Sequence, residues 1–251
     1  MRIQTNWAQL RTMAWMAAVM TLTLASGGFS QAPPSGPNCV GLPTAADLQN
    51  LLVSAPASGG QAGGLFGGTR MWAAVVNRNG EVCAYATSQP ANPTQVWPGS
   101  QAIAKAKAYT ANAFSIDSLA LSTAQLYTFS QPGHSLWGLN QSQPFNPSAL
   151  GSYGGRGQVV GGIITFGGGV PIYKNGKIIG GLGVSGDTAC TDHEIAKRVR
   201  NLAGLNPPGG ALVDDISYSA VDGASAFTHP GCLNTFRNGV FIGTEQAATG
   251  Y

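Results

Sequence analysis

The sequence predicts an α+β fold built on an antiparallel sheet, and three observations carry that expectation. Two pairs of β-branched runs are joined through Asn-Gly: Trp72–Val76 with Glu81–Tyr85 across Asn79-Gly80, and Val170–Lys174 with Lys177–Val184 across Asn175-Gly176. Asn-Gly tolerates the positive φ angles of a tight turn, so each pair reads as a hairpin. Helical patterns lie between and after the hairpins instead of alternating singly with strands, which argues against a βαβ array. The second hairpin runs through Ser185-Gly186-Asp187 into Thr191-Asp192-His193-Glu194, a capping-box pattern that opens a helix.

The chain begins with a segment that does not belong to this fold. Arg2 and Arg11 lead into the apolar run Met13–Ala25, followed by small residues through Ser30. Positive start, short apolar core and small-residue exit read residues 1–30 as a secretory signal peptide, with cleavage after Gly27 or Ser30. The run is too short for a comfortable membrane span. The expected product is periplasmic or secreted, with no transmembrane span once the signal is removed. Residues 31–41 are a Pro/Ser/Gly lead-in, residues 42–205 the domain, and residues 206–251 a tail packed on it.

About 220 residues then remain, which favours one domain with loop and tail elaborations. Removing Arg2 and Arg11 from 13 basic residues, against 10 acidic ones, leaves a net charge of +1, so nucleic acid has no electrostatic footprint here. With only 9% charged residues and 36 glycines, solubility rests on Ser, Thr, Asn and Gln, a composition that suits exported proteins and closely packed oligomers alike. In an oxidising compartment the four cysteines, Cys39, Cys83, Cys190 and Cys232, read as disulfides with three possible connectivities. The expected pairing is Cys39–Cys83, tying the amino-terminal segment to the first hairpin, and Cys190–Cys232, clipping the tail to the last helix. Metal ligation by these thiols is disfavoured by export and wide spacing.

Along the chain, Thr44 caps a short helix with Asp47 in its first turn. Ser58–Gly68 is a Gly/Ala-rich loop. Ser100 caps a helix over Gln101–Phe114, whose small or apolar face is Ile103, Ala106, Thr110, Ala113 and Phe114, with Lys105 and Lys107 directed elsewhere. Asp117 caps a further helix through Tyr127. Ser130–Gly157 is a long loop, Gln158–Thr165 a strand, and Thr191 caps a helix to Ala203 before Asn206–Gly210 breaks the chain.

Gly181-Leu182-Gly183-Val184-Ser185-Gly186 is formally G-x-G-x-x-G. A dinucleotide site needs a parallel βαβ unit and an acidic residue about 20 positions on. A hairpin precedes these glycines and no acid follows at that distance, so they read as places where another backbone or a flat ligand comes close. Acyl-transfer hydrolysis is disfavoured too, because no G-x-S-x-G is present.

Three blocks in order resemble the GlcG/HbpS-like haem-binding domain family, related to the carboxyl-terminal domain of PduO-type proteins: Ala74–Val82 (AVVNRNGEV), Ser100–Phe114 (SQAIAKAKAYTANAF) and Gly168–Ala196 (GGVPIYKNGKIIGGLGVSGDTACTDHEIA). The resemblance spans roughly Leu42–Ala203. It implies a profilin-like antiparallel sheet flanked by helices, a homo-oligomer, and haem as cofactor, with haem degradation, iron binding or redox sensing in some members. Asn77 stands where the family often has Asp, and the cysteines, the long loop and the tail are additions. No axial ligand carries over onto a numbered residue.

Haem needs an apolar slot, cations near its propionates and usually an axial His, Met or Tyr. The candidate ligands are His193 in the first turn of the last helix, His134 beside Trp137 in a loop, and His229 near Cys232. Tyr109, Tyr153 and Tyr173 are further donors; Arg156, Lys105 and Lys107 are candidate propionate partners. A metal site from Asp187, Asp192, His193 and Glu194 is disfavoured because neighbours on a helix diverge, so no metal beyond haem iron is expected. The functional expectation is an exported haem-binding protein serving storage, sensing or delivery, with haem or another flat small molecule as partner. The alternative is an enzyme acting on haem or a small organic molecule in the same pocket.

Overall fold

The computed structural model describes residues 38–149 and 155–244. The expected signal peptide, the lead-in up to residue 37, Tyr153 and residues 245–251 lie outside the described residues.

Both hairpins form, and they lie side by side, joined through the first strand of one and the second strand of the other. β1 (Trp72–Asn77), β2 (Val82–Thr87), β3 (Gly169–Lys174) and β4 (Lys177–Ser185) make one antiparallel sheet in the order β2-β1-β4-β3. Asn175 (φ 52°) and Gly176 (φ 75°) both take the left-handed region, as a two-residue type I′ turn requires. The other turn is longer. Gly80 alone is left-handed there (φ 81°), and its N–H donates to the Asn77 carbonyl at 2.9 Å. Asn77 holds this turn from its side chain: Oδ1 accepts from the amides of Asn79 and Glu81, both at 3.0 Å.

Strand alternation divides the core. Ala73, Val75, Leu182 and Val184 meet Leu48 and Leu52 of α1 (Ala45–Ser54) and Ile195 and Val199 of α4 (Ala189–Leu202), while Ala74, Val76 and Ala108 of α2 (Ser100–Ala113) pack on the opposite face. Full burial of each large aliphatic is worth about 1.5–3 kcal/mol. Between α2 and α4 come a one-turn helix α3 (Leu139–Ser142) and several 3-10 turns.

Glycine sets how close α2 can approach. A Cβ built at Gly181 or Gly183 would overlap the carbonyl oxygens of Ala108 or Ala104, so the helix backbone lies directly on β4. The close-approach reading of these glycines is the one the fold uses, and its occupant is α2, not a flat ligand. Lys105 and Lys107, expected away from the packed face, are both 0% exposed, because the alanine-rich helix is covered on all sides. Lys107 Nζ donates to Asp192 at 2.7 Å and to the Val184 carbonyl at 3.1 Å.

Several local expectations shift. Thr44 caps α1 as expected, and Asp47, expected only in the first turn, also closes a capping box with it; α2 starts at Ser100 without a side-chain cap. Helix α4 opens earlier than the Thr191 pattern suggests: Thr188 is the cap and accepts from the Thr191 amide, while the Thr191 hydroxyl donates to the Ala62 carbonyl at 3.2 Å. Glu194 pairs with Arg198 and Lys197 instead of closing a box. Asp117 caps no helix; it accepts from Ile178 N–H and Lys177 Nζ, and 3-10 turns follow at Thr123–Leu126 and Thr128–Ser130. Gln158–Thr165 forms isolated bridges, Val159 with Glu81 and Gly161 with Phe145, not a strand.

Two polar anchors fasten the loop before β1. Asp187 accepts from the amides of Leu65 (2.7 Å), Phe66 (2.8 Å) and Gly68 (3.3 Å). The Arg198 guanidinium reaches the carbonyls of Ala55, Pro56, Gly59, Gly60 and Gln61 at 2.9–3.4 Å. The tail adds β5 (Ser217–Tyr218), α5 (Ser219–Asp222), β6 (Thr228–His229), β7 (Thr235–Arg237) and β8 (Val240–Gly243). It is held on α4 by the buried Arg200–Asp214 pair, by Lys197 with Asp215, and by Cys190–Cys232. Both disulfides take the expected pairing. No helix among the described residues is long and apolar enough to cross a membrane.

Candidate functional site

With α2 on one face of the sheet and α1 and α4 on the other, the largest opening found among the described residues lies along the outer strand β2. A groove of about 530 Å³ runs there between β2 and the segment leading into α1, within the ~300–1,000 Å³ of typical ligand sites. Its walls are Leu42, Pro43 and Ala46 on one side and Val82, Ala84 and Tyr85 on the other, with the Cys39–Cys83 disulfide at the rim and Arg156 across it. Each part has a local cause. The disulfide fastens the chain before α1 against β2, and Thr44 then turns that chain into the helix, directing the first turn of α1 at the groove. Arg156 is positioned because Val82 exchanges backbone hydrogen bonds with the same segment, donating to Gln158 (3.0 Å) and accepting from Gly157 (2.9 Å).

Tyr85 forms part of the wall and is itself braced. Its ring stacks on Trp72 with centroids 5.2 Å apart and planes 1° from parallel. Lys105 Nζ sits 4.7 Å from the Tyr85 centroid, and burial lowers the pKa of that ammonium from its ordinary value. The exposed Arg156 guanidinium makes the groove favourable for a carboxylate group, whereas its sides are apolar; the positive end of α1 is already answered by the Asp47 carboxylate of its own capping box. Among the lining residues there is no histidine or methionine.

The three histidines lie elsewhere. His229 is 1% exposed; its Nε2 accepts from Gly167 N–H at 3.2 Å and its Nδ1 contacts the Pro230 carbonyl at 2.7 Å, so both nitrogens are engaged. Burial pushes its pKa down to about 3, leaving a neutral ring. His193 is 0% exposed on α4, with Nε2 3.4 Å from Asp215 Oδ1 and neither nitrogen in a well-formed hydrogen bond. Burial alone would raise Asp215, but His193 and Lys197 hold it well below the ordinary carboxylate range. His134 is half-buried in the turn that leads to the exposed Trp137.

Of the other candidates, Lys107 is consumed by Asp192. Burial lowers the lysine and raises the carboxyl, and their mutual attraction offsets part of each shift. Tyr173 donates to the Ile116 carbonyl at 2.8 Å, and burial raises its phenol to about 12. Asp187, Asp192, His193 and Glu194 point to different partners and do not converge. Arg156 is the sequence candidate that the fold brings to the groove. Tyr85 and the first turn of α1 were missed; the Cys39–Cys83 pairing was the available signal, since it sets the pre-helix segment beside β2.

A family model described as "Haem degrading protein HbpS-like" matches residues 45–200. A curated protein of Citrobacter freundii, described as an uncharacterized 15.0 kDa protein of the dhaT-dhaS intergenic region, is 35% identical over 91 residues, 36% of this chain and 49% of that protein. The chain thus spans about half the length of that relative. Among solved structures, the Klebsiella pneumoniae protein ORFY aligns at 23% identity over 64% of this chain and 88% of its own, with a TM-score of 0.44. A PduOC:heme complex aligns at 22% identity over 64% and 92%, with a TM-score of 0.46. A Streptomyces reticuli HbpS variant aligns at 19% identity over 64% and 86%, with a TM-score of 0.43.

Proposed function

The chain belongs to the HbpS-like haem-degrading protein family, and from that premise we propose that it binds haem in the groove beside β2. The observation that carries the placement is the combination there of apolar walls, an aromatic side and an exposed cation, Arg156. Haem bound there would bring an iron centre able to exchange electrons or oxygen ligands. Leu42, Pro43, Ala84 and Tyr85 exclude water from a flat apolar guest. Arg156 offers hydrogen bonds and positive charge to a carboxylate at its edge. None of His134, His193 and His229 lines the groove. His134 is the one with enough exposure to approach from a second copy, so we assign it first among the candidate ligands, in keeping with a homo-oligomer.

We further read the protein as exported, periplasmic or secreted. Two fully paired disulfides support this, since such bonds persist in oxidising compartments. Storage, sensing or delivery of haem is the proposed role. The alternative, an enzyme acting on haem or a small organic molecule in the same groove, is favoured by the family's description.

Titration of the purified oxidised protein with haemin tests the reading. A saturable Soret shift is expected, weakened about tenfold by Arg156→Ala, which corresponds to ~1.4 kcal/mol. A free-haem spectrum at equimolar protein would reject it. Alanine changes at His134, His193 and His229 then identify any imidazole ligand by loss of the shifted band. Adding a reductant to the loaded protein separates the two roles: Soret loss with a tetrapyrrole product marks turnover, and a stable spectrum marks binding alone.

A further inference from the structure

The Cys190–Cys232 disulfide has a third donor beside it. One sulfur from each cysteine and one ring nitrogen of His229 all lie within 4.8 Å of one another. Cys190 sits in the first turn of α4, His229 ends β6, and Cys232 follows three residues later. We propose that reduction of this disulfide converts the three residues into a Cys2His site for a thiophilic divalent cation, zinc in the first instance.

The chemistry balances with a dithiol as reductant. The dithiol closes into its own disulfide, and its two electrons and two protons cleave the Cys190–Cys232 bond to two thiols. Binding of Zn2+ then displaces both thiol protons, leaving two thiolates and a neutral imidazole on the metal. Zinc takes tetrahedral sulfur and nitrogen ligands at about 2.0–2.3 Å, so the freed sulfurs need only separate to the spacing such a centre imposes. Three protein donors leave the fourth position for water or an outside ligand.

Three features of the surroundings favour this use. The positive end of α4 stabilises a thiolate at Cys190. The Cys190 N–H already donates to Cys232 Sγ at 3.2 Å, a bond that suits a ligating sulfur. Nε2 of His229 accepts from Gly167 N–H and Nδ1–H faces the Pro230 carbonyl, so a neutral ring that turns Nε2 to the metal keeps its Nδ1–H bond to Pro230 while Gly167 N–H gives up its acceptor. A retained backbone partner is how metal-binding imidazoles are normally oriented. The site would keep the tail fastened to α4 after the covalent link is gone. Among the described residues, Cys39–Cys83 has no such third donor.

The test uses the full chain, oxidised or reduced with a phosphine, incubated with zinc chloride, freed of excess metal and assayed by atomic emission. One zinc per chain is expected in the reduced protein and none in the oxidised protein. Uptake should survive Cys39→Ser/Cys83→Ser and vanish in Cys190→Ser/Cys232→Ser, and His229→Ala should weaken it at least tenfold. Absence of zinc from the reduced wild type, or equal uptake without Cys190 and Cys232, would overturn the proposal. Should His229→Ala fail to fold, cobalt added to the reduced wild type decides. Thiolate charge-transfer absorption with a tetrahedral visible spectrum supports the site, and its absence rejects it.

Discussion

Replacing Gly183 by alanine tests whether the α2 backbone rests directly on β4. The added methyl would overlap the Ala104 carbonyl oxygen and the Ala108 amide nitrogen, far inside the 3.0 Å that real Cβ atoms respect. Both opposing atoms are backbone, so no rotamer change relieves the contact, and α2 must withdraw by about 1 Å in a close-packed interior. Overpacking of this kind costs typically about 1–3 kcal/mol, occasionally more. With nothing flexible to yield, about 3 kcal/mol is expected, a large fraction of the ~5–15 kcal/mol that stabilises a domain. Urea unfolding of the oxidised protein, followed by circular dichroism, measures the loss. Gly99→Ala is the comparator: its φ is −63° and nothing lies within 4 Å of the added Cβ, so a change within ~0.5 kcal/mol is expected. A Gly183→Ala protein with wild-type midpoint and slope would refute the packing argument.

Lys107→Met should cost about 3–5 kcal/mol by stranding the Asp192 carboxylate, and adding Asp192→Asn should recover much of it; additive losses in the same unfolding assay would contradict the buried pair. His229 stays neutral down to about 3 in the fold against an ordinary 6.5. Between those values the unfolded chain binds a proton that the native one does not, so stability falls as pH drops through the window, by up to ~1.4 kcal/mol per unit. His229→Gln should flatten that slope in midpoints measured from pH 6.5 to 4.5, and an unchanged slope would assign it to other groups. Cys39→Ser/Cys83→Ser opens a loop spanning 44 residues and should lose about 3–4 kcal/mol together with haemin affinity; a stable variant with intact binding would detach the groove from its rim.

What was legible in the sequence was local. Asn175-Gly176 between two β-branched runs declares its turn because Asn and Gly both enter the left-handed region at little cost, and Thr44 with Asp47 is a self-contained capping unit. Of the three connectivities open to Cys39, Cys83, Cys190 and Cys232, the expected pairing is the one the fold takes. The glycines Gly181 and Gly183 announced a close approach without saying by what. Features set by partners far along the chain were not legible. Lys107 looked like a surface lysine because Asp192 is 85 residues away. Thr191 looked like the cap because its carbonyl partner, Ala62, lies in a distant loop. The groove is of this second kind, since Leu42, Tyr85 and Arg156 meet only after the disulfide and the Val82 backbone exchange are in place.

The grip of Arg198 on five consecutive-region carbonyls has a dynamic corollary. A loop with five of its seven carbonyls between residues 55 and 61 held by one guanidinium rooted in α4 does not open by itself. Its exchange of amide hydrogens and its susceptibility to proteases should follow the unravelling of that helix as one cooperative unit. Lysine, with a single compact ammonium, cannot span the same set of oxygens, so Arg198→Lys would release residues 55–61 while leaving the helix wound.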